Sequence, residues 1–332
     1  MIFGPVPLDQ AQGAILAHSI ALPQGRLRKG QRLDAAALRA LGEAGFDQVT
    51  AARLAPDDVA EDAAATRLAA ALAPDPEALG LRLGSAATGR VNVTAAGAGV
   101  MRIDPAIVAA VNGVHPMITL ATLPEWQRVI AGTMAATIKI ISYAVPGAAL
   151  DRACAVAAGG ALRLCPPVIA RAAYVETLVE GQDTLSTKGE AAIRTRLDRL
   201  GVAMTTPQRI RHRRADLARA IAEAEGEAVL ILTGSATSDP DDLAPAALRD
   251  AGGEVIHFGM PVDPGNLLFF GSHAGRPVIG LPGCARSPAL NGADWVLERL
   301  LCGVPVTPQG IAAMGVGGLL KEIPTRPRPR EG

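Results

Sequence analysis

The feature that most constrains this chain is the alternation across residues 168–304. Short apolar runs, VIARAAYVETLV, AVLILT, EVIHF and RPVIGL, are separated by amphipathic stretches that end in glycine or open on a polar residue. Brief apolar runs bounded by turn residues read as strands buried on both faces, and the longer amphipathic stretches between them as crossover helices. Helices are expected over KGEAAIRTRLDRLG (188–201), RADLARAIAEAEG (214–226), DLAPAALRDAGG (242–253) and SPALNGADWVLERLLCG (287–303). The last would be capped by Ser287, with Pro288 in its first turn. This alternation predicts an α/β domain of three layers, a mostly parallel sheet with helices on both faces. Such sheets bind ligands beyond the carboxyl ends of their strands.

The rest of the 332 residues reads as two preceding regions and a tail. Residues 1–80 form an N-terminal α+β region: a first helix over Leu8–Leu16, a helix AAALRALGEAG capped by Asp34, a strand at 49–54 and a helix from Val59 to Leu72. APDPEALG, with two prolines and a glycine, marks the boundary. Residues 84–165 form a β-rich linking domain, with strand material in GRVNVTA, ITLATLPEWQRVIAG and ATIKIISYAV around a short helix. Residues 305–332 are a turn-rich tail ending in alternating Arg and Pro, read as extended.

Composition closes several function classes. Basic and acidic residues balance at 32 each, so no global field holds a polyanion, and aromatics at 3% cannot make a base-stacking platform. No nucleic-acid partner is expected. The longest apolar stretch, Val129 to Val145, contains Lys139 and is rich in β-branched residues, a strand pattern rather than a membrane span. The N-terminus lacks the basic start and apolar core of a signal peptide, and a cytoplasmic protein without membrane contact is expected. Cys154, Cys165, Cys284 and Cys302 make no C-x-x-C pair, and His18, His115, His212, His257 and His273 show no metal-ligand spacing.

Three loops follow the predicted strands and therefore face one edge of the sheet. The first, Thr233-Gly234-Ser235-Ala236-Thr237-Ser238, leads through Asp239 and Asp241 to Asp242 at a helix start. Small residues let backbone N–H groups approach an oxyanion, and a divalent metal between carboxylate and phosphate would reconcile the acidic residues with an anion. The second contains Asp263-Pro264-Gly265-Asn266. In the third, Pro282-Gly283-Cys284-Ala285-Arg286-Ser287, backbone N–H groups, Arg286 and Ser287 make an anion seat. Cys284 there has no local base and reads as a small packed residue rather than a nucleophile. The basic run Arg209, Arg211, His212, Arg213, Arg214 reads as a solvated edge, and Trp295 as core. His257 ends a strand near the cleft. TAAGAGVMR (94–102) has the look of a nucleotidyltransferase loop but lacks its Ser and Gly-x-x-Lys.

Residues 170–304 resemble the molybdopterin-binding domain shared by MoeA and MogA types of molybdenum-cofactor biosynthesis protein. The family's Thr-Gly-Gly-Thr-Gly loop followed by Asp and Pro is matched by TGSATSDPDDLAP, with Thr233, Gly234, Asp242 and Pro245 in register. Its Lys-Pro-Gly-Lys-Pro is matched by Asp263 to Leu267, and Leu-Pro-Gly-Asn-Pro-Val-Ser by Leu281 to Ser287. PLDQAQGAILAHSI and LRKGQRLDAAALRALGEAG resemble MoeA openings. The whole chain is similar to a bacterial MoeA-like group found alone or fused to a molybdopterin cytidylyltransferase.

The resemblance implies molybdopterin as ligand, bound by residues 233–238, Pro264, Gly265, Asn266, Pro282, Gly283, Cys284, Arg286 and Ser287. It implies Mg²⁺ at Asp242 as the catalytic and metal residue, an ATP or AMP moiety, and molybdate insertion or adenylyl-molybdopterin processing in a homo-oligomer. Lys188 and Gly189 fall where the family places substrate contacts. The alternative is a non-catalytic carrier that hands cofactor to a cytidylyltransferase or molybdoenzyme. Both lysines of the second motif are replaced, by Asp263 and Asn266, which favours the carrier, whereas Asp242 favours the metal-dependent enzyme.

Overall fold

Asp34 ends an extended segment, and its carboxylate accepts from the Ala37 N–H at 2.8 Å, which starts the helix Ala35–Glu43 where the sequence predicts. Ala37 and Leu41 turn inward with Val6, Leu16, Leu33 and Val49, over an antiparallel sheet of Ile2–Pro7, Gln48–Arg53 and Ile15–Leu16. The helix expected over Leu8–Leu16 does not form. Leu8–Gln10 is a single 3-10 turn, Gly13 takes φ +78°, and Ile15 and Leu16 pair with Ala52 and Ala51. Left-handed backbone at Gly13 stops helical propagation and turns the next residues into the sheet. This is a computed structural model; it describes residues 1–181 and 187–320.

A second antiparallel sheet has the order Ile118–Thr122, Met134–Ile140, Arg90–Ala95, Leu81–Leu83. The strand material expected between 118 and 132 is there, as Ile118–Thr122 and Arg128–Val129, but the short helix expected with it is absent from that stretch. Two helices lie elsewhere. Asp104 caps Pro105–Val114 by accepting from Ala106 and Ile107, and the Ala-rich Gly147–Ala157 packs beside it. Apart from Arg128–Val129, these elements belong to one folding unit, made of Met1–Ala96, Met101–Gln127 and Ala131–Leu164; Gly97–Val100, Arg128–Ile130 and the chain from Cys165 make the other.

The second unit is built on a seven-stranded mixed sheet, mostly parallel. Its elements are β1 (Arg171–Leu178), α1 (Lys188–Asp198), β2 (Ala203–Met204), β3 (Gln208–Arg211), α2 (Arg214–Glu223), β4 (Ala228–Leu232), α3 (Leu243–Asp250), β5 (Glu254–Phe258), β6 (Phe269–His273), β7 (Arg276–Leu281) and α4 (Gly292–Leu301). The order is β2-β1-β4-β7-β6-β5, and β3 pairs with β1 beyond β2. β1, β2, β3, β4 and β7 are parallel neighbours, whereas β6 runs against both β7 and β5. β5 therefore points the same way as β7, and the segments after β1, β4, β7 and β5 all leave one edge. Val175, Val229, Ile231, Val278 and Phe269 form a core with Leu217 and Ile221 of α2 and Leu248 of α3.

Two details depart from expectation. β6 is an extra antiparallel strand, joined to β7 by a two-residue turn in which Ala274 (φ +48°) and Gly275 (φ +76°) are both left-handed. Gly280 on β7 leaves room for the Phe269 ring; a Cβ there would stand 1.8 Å from it. The last helix starts at Gly292, not at Ser287. Asn291 caps it in a reciprocal box with Asp294. The preceding segment is kept non-helical by Arg196 of α1: its guanidinium donates to the carbonyls of Ala285, Ser287 and Ala289 and pairs with buried Asp294.

No helix of the described residues is long and apolar enough to cross a membrane. Residues 308–320 are not extended: Pro308–Ala312 is a short helix, and Leu319 bridges to Asp263. The Arg- and Pro-rich end, 321–332, lies outside the described residues.

Candidate functional site at the carboxyl edge of the parallel sheet

β4 delivers Thr233 to the edge, and the loop 233–242 closes on itself there. The Thr233 hydroxyl donates to the Ser235 carbonyl at 2.6 Å and lies 3.3 Å from the Thr237 hydroxyl. Asp242 caps α3 with both oxygens engaged: one accepts from Leu243 N–H at 2.7 Å, the other from Ser238 N–H at 2.9 Å. Between these anchors, the N–H groups of Ser235, Ala236 and Thr237 find no acceptor among the described residues. Three successive unsatisfied donors in a small-residue loop before a helix are the elements of an anion cradle.

Under this loop lies a charged floor. Glu176, near the end of β1, is buried, and its Oε1 accepts from Arg286 Nη1 at 2.7 Å. Its Oε2 stands 3.6 Å from Arg209 Nε, and Arg209 also pairs with Glu190 at 2.6 Å. Arg286 Nη2 donates to the Thr233 carbonyl at 2.7 Å. Gly189 of α1 lets this assembly close: a Cβ there would lie 2.9 Å from Leu232 and 3.1 Å from the Arg286 guanidinium. Tyr174, two residues back on β1, is fully buried; burial first, and the Glu176 carboxylate second, push its phenol pKa up. Next to Glu176, the Thr177 hydroxyl accepts from Gly234 N–H at 2.9 Å and bonds His212 Nδ1 at 2.8 Å.

The second and third predicted segments are joined to each other. The Pro264 carbonyl accepts from Gly292 N–H at 2.8 Å, the Asn266 carbonyl accepts from Met260 N–H at 3.0 Å, and Gly265 (φ +140°) lies where a Cβ would meet Gly292 N at 2.8 Å. Pro282 precedes a single 3-10 turn, Gly283–Arg286, with Ser287 as its C-cap. Cys284 Sγ accepts from the Asn291 amide. Arg286 is the link from this loop to the first.

The basic run is not one solvated edge. β3 pairs with β1 so that Arg209 stands opposite Glu176, and Arg209 and His212 turn toward the site. Arg213 and Arg214 are exposed and pair with Glu180 and Asp250. His257 packs against Phe270, ring centroids 6.1 Å apart, and Trp295 is half-buried rather than core. Sequence reasoning passed over Glu176, Thr177 and Arg196, and took Arg209 and His212 for part of a solvated edge. The available signal was a Glu-Thr pair closing an otherwise apolar buried strand, because a buried polar residue is the informative exception.

Residues 178–301 match the family model described as a probable molybdopterin binding domain. This segment is similar to molybdopterin-binding domains. Residues 5–53 match a domain of unknown function. No curated protein sequence matches the chain. Among solved structures, the chain is similar to the molybdopterin biosynthesis MoeA protein of Pyrococcus horikosii, at 17% identity and TM-score 0.30, over 90% of this chain and 75% of that one. It is also similar to a molybdenum cofactor biosynthesis protein of Pyrococcus furiosus, at 11% identity and TM-score 0.25, over 92% of this chain and 65% of that one. The matched segment contains all three loops and the floor residues Glu190, Arg209 and Arg286, whereas Glu176 and Thr177 lie just before it.

Proposed function

We propose that the protein binds molybdopterin, or its nucleotide form, at the carboxyl edge of the parallel sheet. The observation that carries this reading is the row of N–H groups at Ser235, Ala236 and Thr237 without acceptors among the described residues, which suits the phosphate of the ligand. Pro264 to Asn266 and Pro282 to Ser287, seated together at the start of α4, would hold the pterin side. In the enzymatic form of the proposal the protein processes adenylyl-molybdopterin or inserts molybdate. Mg²⁺ would be held through Asp242 and would neutralise phosphate charge. Each Asp242 oxygen already accepts one backbone N–H and retains a further lone pair. Among the described residues no three His, Cys, Asp or Glu side chains gather into a metal site. The fit is therefore to a Mg²⁺ held by one carboxylate, water and the ligand's own phosphate.

A second reading, a carrier that passes cofactor to a cytidylyltransferase or molybdoenzyme, is favoured by one specific observation. Both Asp242 oxygens serve the loop's own backbone, a use that requires no metal. Calorimetric titration with molybdopterin, with and without Mg²⁺ and AMP or ATP, separates the readings. Mg²⁺-dependent binding lost in Asp242→Asn supports the enzyme; binding indifferent to Mg²⁺ and to that substitution supports the carrier. No binding under any condition overturns both.

A further inference from the structure

The Thr233 carbonyl and the Gly234 N–H are the two ends of one peptide unit, and each is held by a different side chain. Arg286 Nη2 donates to the carbonyl at 2.7 Å, and the N–H donates to Thr177 Oγ1 at 2.9 Å. Both holders are themselves held: Arg286 by buried Glu176, and Thr177 by His212 Nδ1 at 2.8 Å. In a trans peptide these two groups point in opposite directions. The clamp therefore fixes the rotation of the peptide plane, and with it the direction in which the following N–H groups leave. No side chain fits at 234, where a Cβ would lie 2.7 Å from the Thr177 carbonyl oxygen.

We propose that Glu176, Arg286, Thr177 and His212 are positioning residues that lock the 233–234 peptide, so that the Ser235–Thr237 amides face the ligand's anionic group. The proposal rests on the reading that this loop receives molybdopterin. It assigns Arg286 the task of drawing the Thr233 carbonyl, a repulsive neighbour for an anion, down onto the floor.

The test is Thr177→Val, which keeps shape and removes the acceptor, beside Thr177→Ser, which restores it. Two quantities are read on the full chain: amide hydrogen exchange at Gly234 and the dissociation constant for molybdopterin, with inorganic pyrophosphate as a second probe. The clamp predicts faster Gly234 exchange and about tenfold weaker binding in Thr177→Val, since one net hydrogen bond is of that order. It also predicts recovery of both in Thr177→Ser. Glu176→Gln should weaken binding in the same direction by loosening Arg286. Unchanged Gly234 exchange, or faster exchange with undiminished affinity, overturns the proposal, as does a loss that Thr177→Ser fails to recover. Wild-type protein that binds neither probe overturns the functional reading instead, and the Gly234 exchange comparison then still decides whether the clamp exists.

Discussion

Two loops leave the same edge of one sheet and are treated in opposite ways. The loop after β4 is held at its first peptide and at Asp242, and it leaves the N–H groups of Ser235, Ala236 and Thr237 without acceptors among the described residues. The loop after β7 is filled from within. Buried Arg196 takes the carbonyls of Ala285, Ser287 and Ala289, Asn291 takes Cys284 Sγ, and the Asn291–Asp294 box closes the helix start. One loop is shaped as a receptor and the other as a buttress, with Arg286 reaching from the buttress to steady the receptor. Residue types alone do not separate them, since both are small-residue loops between a strand and a helix. The difference lies in whether a buried cation from another element saturates the backbone.

The largest effect should come from dismantling the buttress. Arg196→Met leaves Asp294 buried without its partner and three carbonyls without a donor, and should cost about 3–5 kcal/mol in urea unfolding. Adding Asp294→Leu should recover part of that loss. A cost below about 1 kcal/mol would show that water serves these groups as well as Arg196 does.

The next effect strikes the receptor loop. Gly234→Ala sets a methyl group against backbone, 2.7 Å from the Thr177 carbonyl oxygen, so the peptide must shift. Molybdopterin affinity should fall about tenfold, ~1.4 kcal/mol, measured by calorimetry. Wild-type affinity in that variant would mean that the ligand does not read this peptide. A smaller effect attends Asp242→Ala, which removes the α3 cap and should cost about 1 kcal/mol of stability in urea unfolding. Asp242→Asn, which can still cap, should keep most of that stability, so any loss of Mg²⁺-dependent binding in it reports on the carboxylate charge.

How much of this could be read beforehand follows from the same contrast. Strands such as Ala228–Leu232 and helices such as Lys188–Asp198 are written locally, in apolar runs and amphipathic periods, and they are found close to where the pattern puts them. The helix start at Gly292 was misplaced because Ser287-Pro288 is a good local start signal, overruled by Arg196 from 91 residues upstream. The floor of the site was invisible for the same reason. Glu176, Arg209 and Arg286 are far apart in the chain, and only the parallel pairing of β1 with β3 and β4 brings them together. Ala274-Gly275 did carry a hairpin signal, weakened because Ala is not a usual left-handed residue.

The smallest effect measures burial against charge. Glu190 pairs with Arg194 at 2.9 Å and with Arg209 at 2.6 Å, the same chemistry as Arg196 with Asp294, but partly open to water. The Arg194 hydrogen bond, then that of Arg209, outweigh desolvation and hold the Glu190 carboxyl below its usual range. A carboxylate with a depressed folded pKa contributes stability that is present above its unfolded pKa and lost as pH falls through the folded value. Glu190→Gln should therefore cost only about 0.2–1 kcal/mol near neutral pH, where a solvent-screened pair contributes little, and progressively less as the pH falls through the folded pKa. Urea unfolding of both proteins at pH 7 and pH 3 reads the difference. A neutral-pH cost as large as that of Arg196→Met would mean that the floor beneath the receptor loop is as dry as the buttress, and that the two sides of the edge differ in shape alone.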